Sequence, residues 1–126
     1  MKLFIAYTSV IEALTGIGLL LFPVPLVSFL FGSPLTGPDG KIVAWIGGAA
    51  ILSLSLLTWF LRVDAGISKA VKALLIYNVL VALIFLFGIL KHSLTGPGAW
   101  LTLTFHFFQT IISLILLQKK QTYSIK

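Results

Sequence analysis

Five polar side chains lie within stretches that are otherwise strongly apolar, and their types could do chemistry. They are Glu12, Tyr77, Asn78, His106 and Gln109. A carboxyl group can carry a proton or anchor a ligand, and an imidazole can relay a proton or bind a metal ion. Phenol and amide groups can hydrogen-bond to a ligand. Together these residue types predict a ligand-binding or proton-handling site inside the protein.

Glu12 is the strongest candidate among them. A carboxylate at the centre of a membrane-spanning helix costs roughly 2.5–3.5 kcal/mol to insert. Such a group is expected to be protonated, paired or in contact with water, which suits a proton carrier or a ligand anchor. The structural alternative is a neutral carboxyl group that is hydrogen-bonded between two helices.

His106 could pair with Glu12, relay a proton, or ligate a metal ion or haem. The alternative is a neutral imidazole that is hydrogen-bonded to a neighbouring helix. One carboxylate and one histidine are few ligands for a metal ion, and His92 is expected at a different depth. No metal site is therefore predicted, and the sequence identifies no cofactor.

The three remaining residues are expected to have mainly structural roles. Asn78 and Gln109 are favoured as hydrogen-bonding residues between helices, where such bonds contribute about 0.6–2 kcal/mol. Contact with a ligand is the second interpretation of both. Tyr77 is expected mainly to pack against neighbouring helices.

Four apolar stretches are long enough to position these residues inside a bilayer. They cover residues 3–22, 41–61, 67–90 and 97–118, and a membrane-spanning helix needs about 20 such residues. Charged residues make up only 10% of the chain, against about 25% in soluble domains, which is too little to cover a surface that faces water. The sequence predicts a single all-α transmembrane domain, an antiparallel bundle of four helices.

Two connecting segments carry further predictions. The segment between Pro23 and Gly32 is apolar but too short to cross a bilayer, so we expect an interfacial or re-entrant cap on the bundle. The second loop, residues 62–66, is short. It predicts that the second and third spans form an antiparallel hairpin.

Counting residues from the span ends places the polar groups at similar depth. Glu12, Asn78 and His106 each lie roughly nine to eleven residues from the start of their span, and a helix rises about 1.5 Å per residue. All three are therefore expected near mid-membrane. Whether they meet depends on helix rotation, which the sequence leaves open.

The nine basic residues predict the orientation. The end of the bundle that holds both termini is expected to carry most of them, and the cytoplasmic side of membrane proteins is enriched in lysine and arginine. We therefore expect both termini in the cytoplasm. That end is assigned Lys2, Arg62, Lys69, Lys72, Lys119, Lys120 and Lys126, and the other end is assigned Lys41 and Lys91.

Composition excludes several classes of function. The absence of cysteine excludes disulfides, thiolate metal sites and dithiol redox chemistry, including that of thiol-dependent quinone reductases. The formal charge of +6 comes from residues at the ends of apolar runs, where they mark topology, so nucleic acid is not a predicted partner. Only three acidic residues are present and no hydrolase motif is found, which makes an enzyme the least favoured class.

Short motifs run through most of the chain: Glu12-Ala-Leu-Thr-Gly16, Leu20-Leu-Phe-Pro23, Phe31-Gly32, Gly48-Ala49-Ala50, Trp59, residues 74–78 and His106. They resemble those of small bacterial four-helix membrane proteins of the DoxX-like type, named after a subunit of a quinone-linked oxidoreductase. The resemblance implies a four-helix architecture, a bacterial inner-membrane location and a subunit or accessory role. It assigns no catalytic residues.

Small multidrug transporters offer a second resemblance. They have a similar length, four spans and a glutamate in the first span that exchanges protons for cationic drugs, and Glu12 sits at a comparable place. This chain lacks their glycine-rich pattern and the tryptophan of their third span. Its charge bias also favours one orientation, whereas many of those transporters have a weak bias.

The sequence thus supports three hypotheses. The first is a membrane protein that binds a small apolar or amphipathic ligand, or a partner membrane subunit, at a mid-membrane polar site. The second is a proton-coupled transporter that uses Glu12, and the third is a purely structural polar core. Besides contact with the bilayer, self-association through the small residues Ala44, Gly48 and Ser55 of span two is permitted.

Overall fold

A computed structural model describes residues 1–63 and 66–124, with the backbone alone for 120–124. The described residues form five helices and no strand, which confirms the predicted all-α bundle. Four of the helices are long and apolar enough to cross a membrane. The helices are α1 (Lys2–Leu21), α2 (Pro23–Phe31), α3 (Gly37–Leu61), α4 (Ile67–His92) and α5 (Pro97–Ser124).

Proline and glycine set most of the helix ends. Pro23 begins α2, because its fixed φ suits the first helical position and its missing N–H needs no partner there. Gly32 ends α2 with φ of 77°, a left-handed conformation that glycine adopts without strain. Pro38 stands in the first turn of α3, which begins about one turn before the predicted start of span two.

The bundle consists of two closely packed helix pairs. The helix α1 packs on α3, and α4 packs on α5, whereas no Cα atom of α5 lies within 8 Å of any Cα atom of α1 or α3. The helices α3 and α4 are consecutive and contact each other, but each packs more closely on another helix. The membrane part is therefore best described as an α1/α3 pair beside an α4/α5 pair.

Glycine residues allow α1 and α3 to pack closely. A Cβ atom on Gly16 would lie 2.8 Å from the carbonyl oxygen of Gly48, and a Cβ atom on Gly48 would lie 2.8 Å from the carbonyl oxygen of Gly16. The two backbones therefore touch directly at this crossing, as small residues allow in membrane helices. A hydrogen bond between the buried hydroxyls of Ser9 and Thr58, at 2.8 Å, ties the same pair together further along.

An apolar cluster joins the two pairs at one end. It contains Ile5 of α1 and Ala70, Val71 and Leu74 of α4, all of them buried. Lysine residues at the start of α1 and α4 lie at this same end, which we call the basic end. The two pairs thus pack against each other at the basic end.

The short helix α2 lies at the opposite end and contacts α1, α3 and α5. Its last turn rests on the beginning of α5, because Gly96 has no side chain: a Cβ atom there would lie 2.5 Å from the carbonyl oxygen of Phe29. The ring of Phe31 stacks on that of Phe85 of α4, with centroids 5.8 Å apart. The helix α2 therefore caps the space between the two pairs, as the sequence predicts.

Candidate functional site

Four of the five candidate side chains meet in the middle of the bundle. The Tyr77 hydroxyl donates to Glu12 Oε2 over 3.1 Å, and His106 Nδ1 lies 2.6 Å from Asn78 Oδ1. His106 Nδ1 also lies 3.9 Å from Glu12 Oε1. These four residues, called the polar cluster below, come from α1, α4 and α5. The structure thus answers the question of helix rotation that the sequence leaves open.

Helical spacing explains the convergence. On α1, buried residues recur every four positions at Thr8, Glu12 and Gly16, which places them on one face. On α5, His106 and Gln109 are buried at a spacing of three. Because these faces point into the bundle, their polar side chains meet each other and are kept from lipid.

Gln109 does not join the polar cluster. It lies one turn closer to the basic end, where its side-chain oxygen accepts a hydrogen bond of 3.2 Å from the hydroxyl of Thr8. This bond links α5 to α1, whose backbones are otherwise separate. The geometry matches the interpretation of Gln109 as a hydrogen-bonding residue between helices.

The hydrogen bonds of Asn78 fix the tautomer of His106. Asn78 Nδ2 donates to the carbonyl of Leu74 over 2.7 Å, so the side-chain oxygen of Asn78 faces the imidazole. An amide oxygen only accepts, so His106 Nδ1 carries the hydrogen. In the neutral ring Nε2 is then left as an acceptor. Among the described residues, Nε2 has no hydrogen-bond partner.

Glu12 also has a side-chain atom without a hydrogen-bond partner. Its side chain is buried, with the residue only 3% exposed. Oε2 accepts from Tyr77, but Oε1 has no hydrogen-bond partner among the described residues. The 3.9 Å to His106 Nδ1 is too long for a hydrogen bond. A buried oxygen without a partner costs about 1–3 kcal/mol, so a hydrogen-bonding group that reached Oε1 would be stabilised there.

The polar cluster borders a cavity of about 540 Å³. The cavity lies between the two helix pairs and beneath α2, and all five helices contribute to its wall. Glu12, Tyr77 and His106 line its inner end, whereas Asn78 and Gln109 do not reach it. The remaining wall is mostly apolar and includes Leu19, Leu26, Val27, Phe31, Ile51, Val81, Phe85 and Phe105.

Sequence reasoning did not identify the cavity-lining residues of α2 and α3. Gly47 on α3 lines the cavity, and a Cβ atom there would meet nothing within 4 Å. Its neighbour Gly48 instead touches α1. The sequence offers no sign that one of these two adjacent glycines faces open space.

Replacing Glu12 with leucine is expected to leave the melting temperature unchanged or raise it by a few degrees. The change removes one hydrogen bond, worth about 0.5–1.5 kcal/mol, and also removes a buried oxygen that lacks a partner. Residues kept for binding commonly reduce stability, so their replacement stabilises. The measurement is thermal unfolding in mild detergent near neutral pH, followed by the helical circular dichroism signal.

Tyr77→Phe is the matched control for this experiment, because it removes the same hydrogen bond and keeps the carboxyl group. We expect it to lower stability by about 1–3 kcal/mol, because it leaves the second oxygen of the buried Glu12 carboxyl group without a partner. A Glu12→Leu protein that loses more stability than Tyr77→Phe would show that Glu12 holds the helices together.

No three histidine, cysteine, aspartate or glutamate residues among those described lie close enough to hold a metal ion. Comparison of the chain with protein-family models, curated proteins and solved structures finds no match. What the site does is therefore inferred from its geometry and chemistry.

Proposed function

We propose that this membrane protein binds a small apolar or amphipathic molecule in the cavity between its helix pairs. The observation that carries the proposal is the unpartnered Glu12 Oε1 at the inner end of a largely apolar cavity. Ligand sites are commonly about 300–1,000 Å³ in volume and combine apolar walls with a few polar groups. A ligand with one polar group would supply the missing partner of Glu12, and the hydrogen bond from Tyr77 would hold the carboxyl group in place.

The shape of the cavity favours a small molecule over a partner helix. A partner helix needs a groove that runs along the bundle, whereas this space is capped by α2 at one end. At the other end it stops at the polar cluster. A purely structural polar core has weaker support, because the unpartnered oxygen of Glu12 belongs to a residue that lines the cavity.

Proton-coupled transport by Glu12 has weaker support. Transport needs a path from Glu12 to each side of the membrane in turn. Towards the basic end, the space below Glu12 is filled by Ile5, Val71 and Leu74, each of them at most 1% exposed. The cavity reaches Glu12 from the α2 end alone among the described residues. This arrangement favours binding of a ligand over its transport across the membrane.

The proposal includes a location and an orientation. The DoxX-like resemblance supports the inner membrane of a bacterium and an accessory role beside another membrane subunit. The basic end would face the cytoplasm, which places the cavity in the outer half of the bilayer. The described basic residues support this with Lys2, Arg62, Lys69, Lys72 and Lys119 at one end and Lys41 and Lys91 at the other, whereas the side chains of Lys120 and Lys126 lie outside the described part of the chain.

The test is to identify small molecules that purify with the protein. Wild type and two cavity-filling variants, Gly47→Leu and Val81→Phe, are purified from membranes in mild detergent, extracted with organic solvent and compared by mass spectrometry. We expect at least one compound to accompany the wild type in a fixed molar ratio and to be lost from both variants. Gly47 and Val81 lie on different helices, so a shared loss reports on the cavity they both line.

Gly47→Ala is the control, because it raises helix propensity as Gly47→Leu does but adds one methyl group to open space. It should retain the compound. The proposal fails if wild type and both filled variants, all shown to be folded, carry the same compounds in the same amounts.

A further inference from the structure

The inner end of the cavity offers hydrogen-bond acceptors. Tyr77 gives its only hydroxyl hydrogen to Glu12, and His106 gives its Nδ1 hydrogen to Asn78, which leaves Nε2 of the neutral ring as an acceptor. Glu12 Oε1 is the third acceptor, and it is buried without a partner. The wall around them is apolar apart from the hydroxyls of Thr15 and Thr102.

A hydroxyl group is the best match for this arrangement. It donates to Oε1 when Glu12 is a carboxylate and accepts from Oε1 when Glu12 is a carboxylic acid, so it fits either form. A thioether or hydrocarbon group does neither, and an ether oxygen only accepts. The hydroxyl of Thr15 is already used, because it donates to the carbonyl of Ile11 over 3.0 Å.

The cavity opens sideways between the helix pairs. Three of its lining side chains are also exposed on the surface of the bundle: Val43 of α3 at 69%, Leu101 of α5 at 64% and Phe29 of α2 at 45%. Val43 lies six residues into α3 and Leu101 four residues into α5, which is roughly 9 Å and 6 Å of helix. We call these three residues the rim.

The level of the rim points to the bilayer as the source of the ligand. Trp45 and Trp100 stand beside rim residues in sequence and are exposed, and tryptophan favours the boundary between headgroups and acyl chains. Small amphipathic molecules dissolved in a membrane favour the same boundary. A molecule at that level faces the rim directly.

From these observations we infer that the ligand is a compact apolar molecule with a hydroxyl group, which enters past the rim from the bilayer and bonds to Glu12. The inference rests on the proposed function and names the class of ligand and its route. The apolar body lies beneath α2, against residues such as Leu19, Phe31 and Phe85. The hydroxyl group lies innermost.

Two probes with the same ring system test the class of ligand. Binding of 1-naphthol and of 1-methoxynaphthalene is measured by naphthalene fluorescence in nanodiscs of phosphatidylcholine and phosphatidylglycerol, against nanodiscs without protein. We expect saturable binding of 1-naphthol and binding of 1-methoxynaphthalene that is weaker by about two- to tenfold, which corresponds to the loss of one hydrogen bond. Glu12→Leu should abolish the difference, whereas Gly47→Leu should weaken both probes.

Equal binding of the two probes by the wild type overturns the hydroxyl assignment. If Gly47→Leu still weakens both of them, the cavity remains a binding site and the proposed function stands. If neither probe binds saturably, the inferred class is wrong for a molecule of this size, and the compounds that purify with the protein then decide the proposed function separately.

The route is tested by the rates of binding. Tryptophan at either rim position, Val43→Trp or Leu101→Trp, is expected to slow both the entry and the release of 1-naphthol severalfold. Ile46→Trp is the control, because Ile46 is equally exposed on α3 but does not line the cavity. Stopped-flow fluorescence rates that are unchanged in both rim variants overturn entry from the bilayer.

Discussion

Replacing Gly48 with leucine is expected to lower the free energy of unfolding by about 3 kcal/mol, the upper part of the range for overpacked sites. A Cβ atom on Gly48 would lie 2.8 Å from the carbonyl oxygen of Gly16 and 2.9 Å from Leu19 Cβ. The carbonyl oxygen of Gly16 is a backbone atom and cannot rotate out of the way as a side chain can, so α1 and α3 must move apart. The measurement is unfolding by sodium dodecyl sulfate in mixed micelles, followed by circular dichroism.

The neighbouring glycine provides a closely matched comparison. Gly47→Leu makes the same chemical change one position earlier on α3, where a Cβ atom meets nothing within 4 Å. It should keep or slightly increase the stability, since leucine favours the helix over glycine by close to 1 kcal/mol. Equal losses from the two variants would contradict the close crossing of α1 and α3.

Replacing Asn78 with leucine is expected to lower the free energy of unfolding by about 2 kcal/mol. The change leaves the Nδ1 hydrogen of His106 buried without its acceptor, and a buried unsatisfied donor costs about 1–3 kcal/mol. Asn78 is fully buried and does not line the cavity, so water or a ligand cannot replace it easily. The same unfolding titration measures the loss.

A double-mutant cycle separates this hydrogen bond from general packing. His106→Phe alone leaves the Asn78 oxygen unpaired, whereas the double variant removes both polar groups. We expect the double variant to lose about 1–2 kcal/mol less stability than the sum of the single variants. Strictly additive losses would mean that the 2.6 Å contact between His106 Nδ1 and Asn78 Oδ1 contributes nothing.

The sequence predicts the four long helices well because length and apolar composition decide them. An apolar helix in a bilayer satisfies its own backbone hydrogen bonds, so neighbouring helices change its bounds only slightly. Proline and glycine then mark the ends, as at Pro23, Gly32 and Pro97. The short cap between Pro23 and Gly32 was predictable by the same reasoning about length.

The choice of partners among the helices was harder to predict. The short second loop suggested that α3 packs on α4, yet the contact between Gly16 and Gly48 favours α1 as the partner of α3. Glycine at one position on each of two helices is a weak signal in a sequence with many glycines. Whether these two residues face each other depends on the rotation of α1 and α3 about their own axes, which the sequence does not determine.

The polar residues of the candidate site could be predicted from the sequence, whereas its cavity could not. Counting residues places Glu12, Asn78 and His106 at one depth, and the structure brings them together. The cavity could not be predicted, because it is the space left where two helix pairs diverge and α2 only partly fills the gap. Its apolar lining residues look in sequence like any others that face lipid.

The seating of α2 on Gly96 has a consequence for the order of assembly. A chain is synthesised from its N-terminus, so α1, α2 and α3 are made while the segment that receives the last turn of α2 has yet to be translated. Until α5 enters the membrane, the future cavity is a cleft that is open to lipid along one side. The helix α5 therefore encloses the cavity only after the four preceding helices have been made. Until then, molecules dissolved in the surrounding bilayer have access to Glu12.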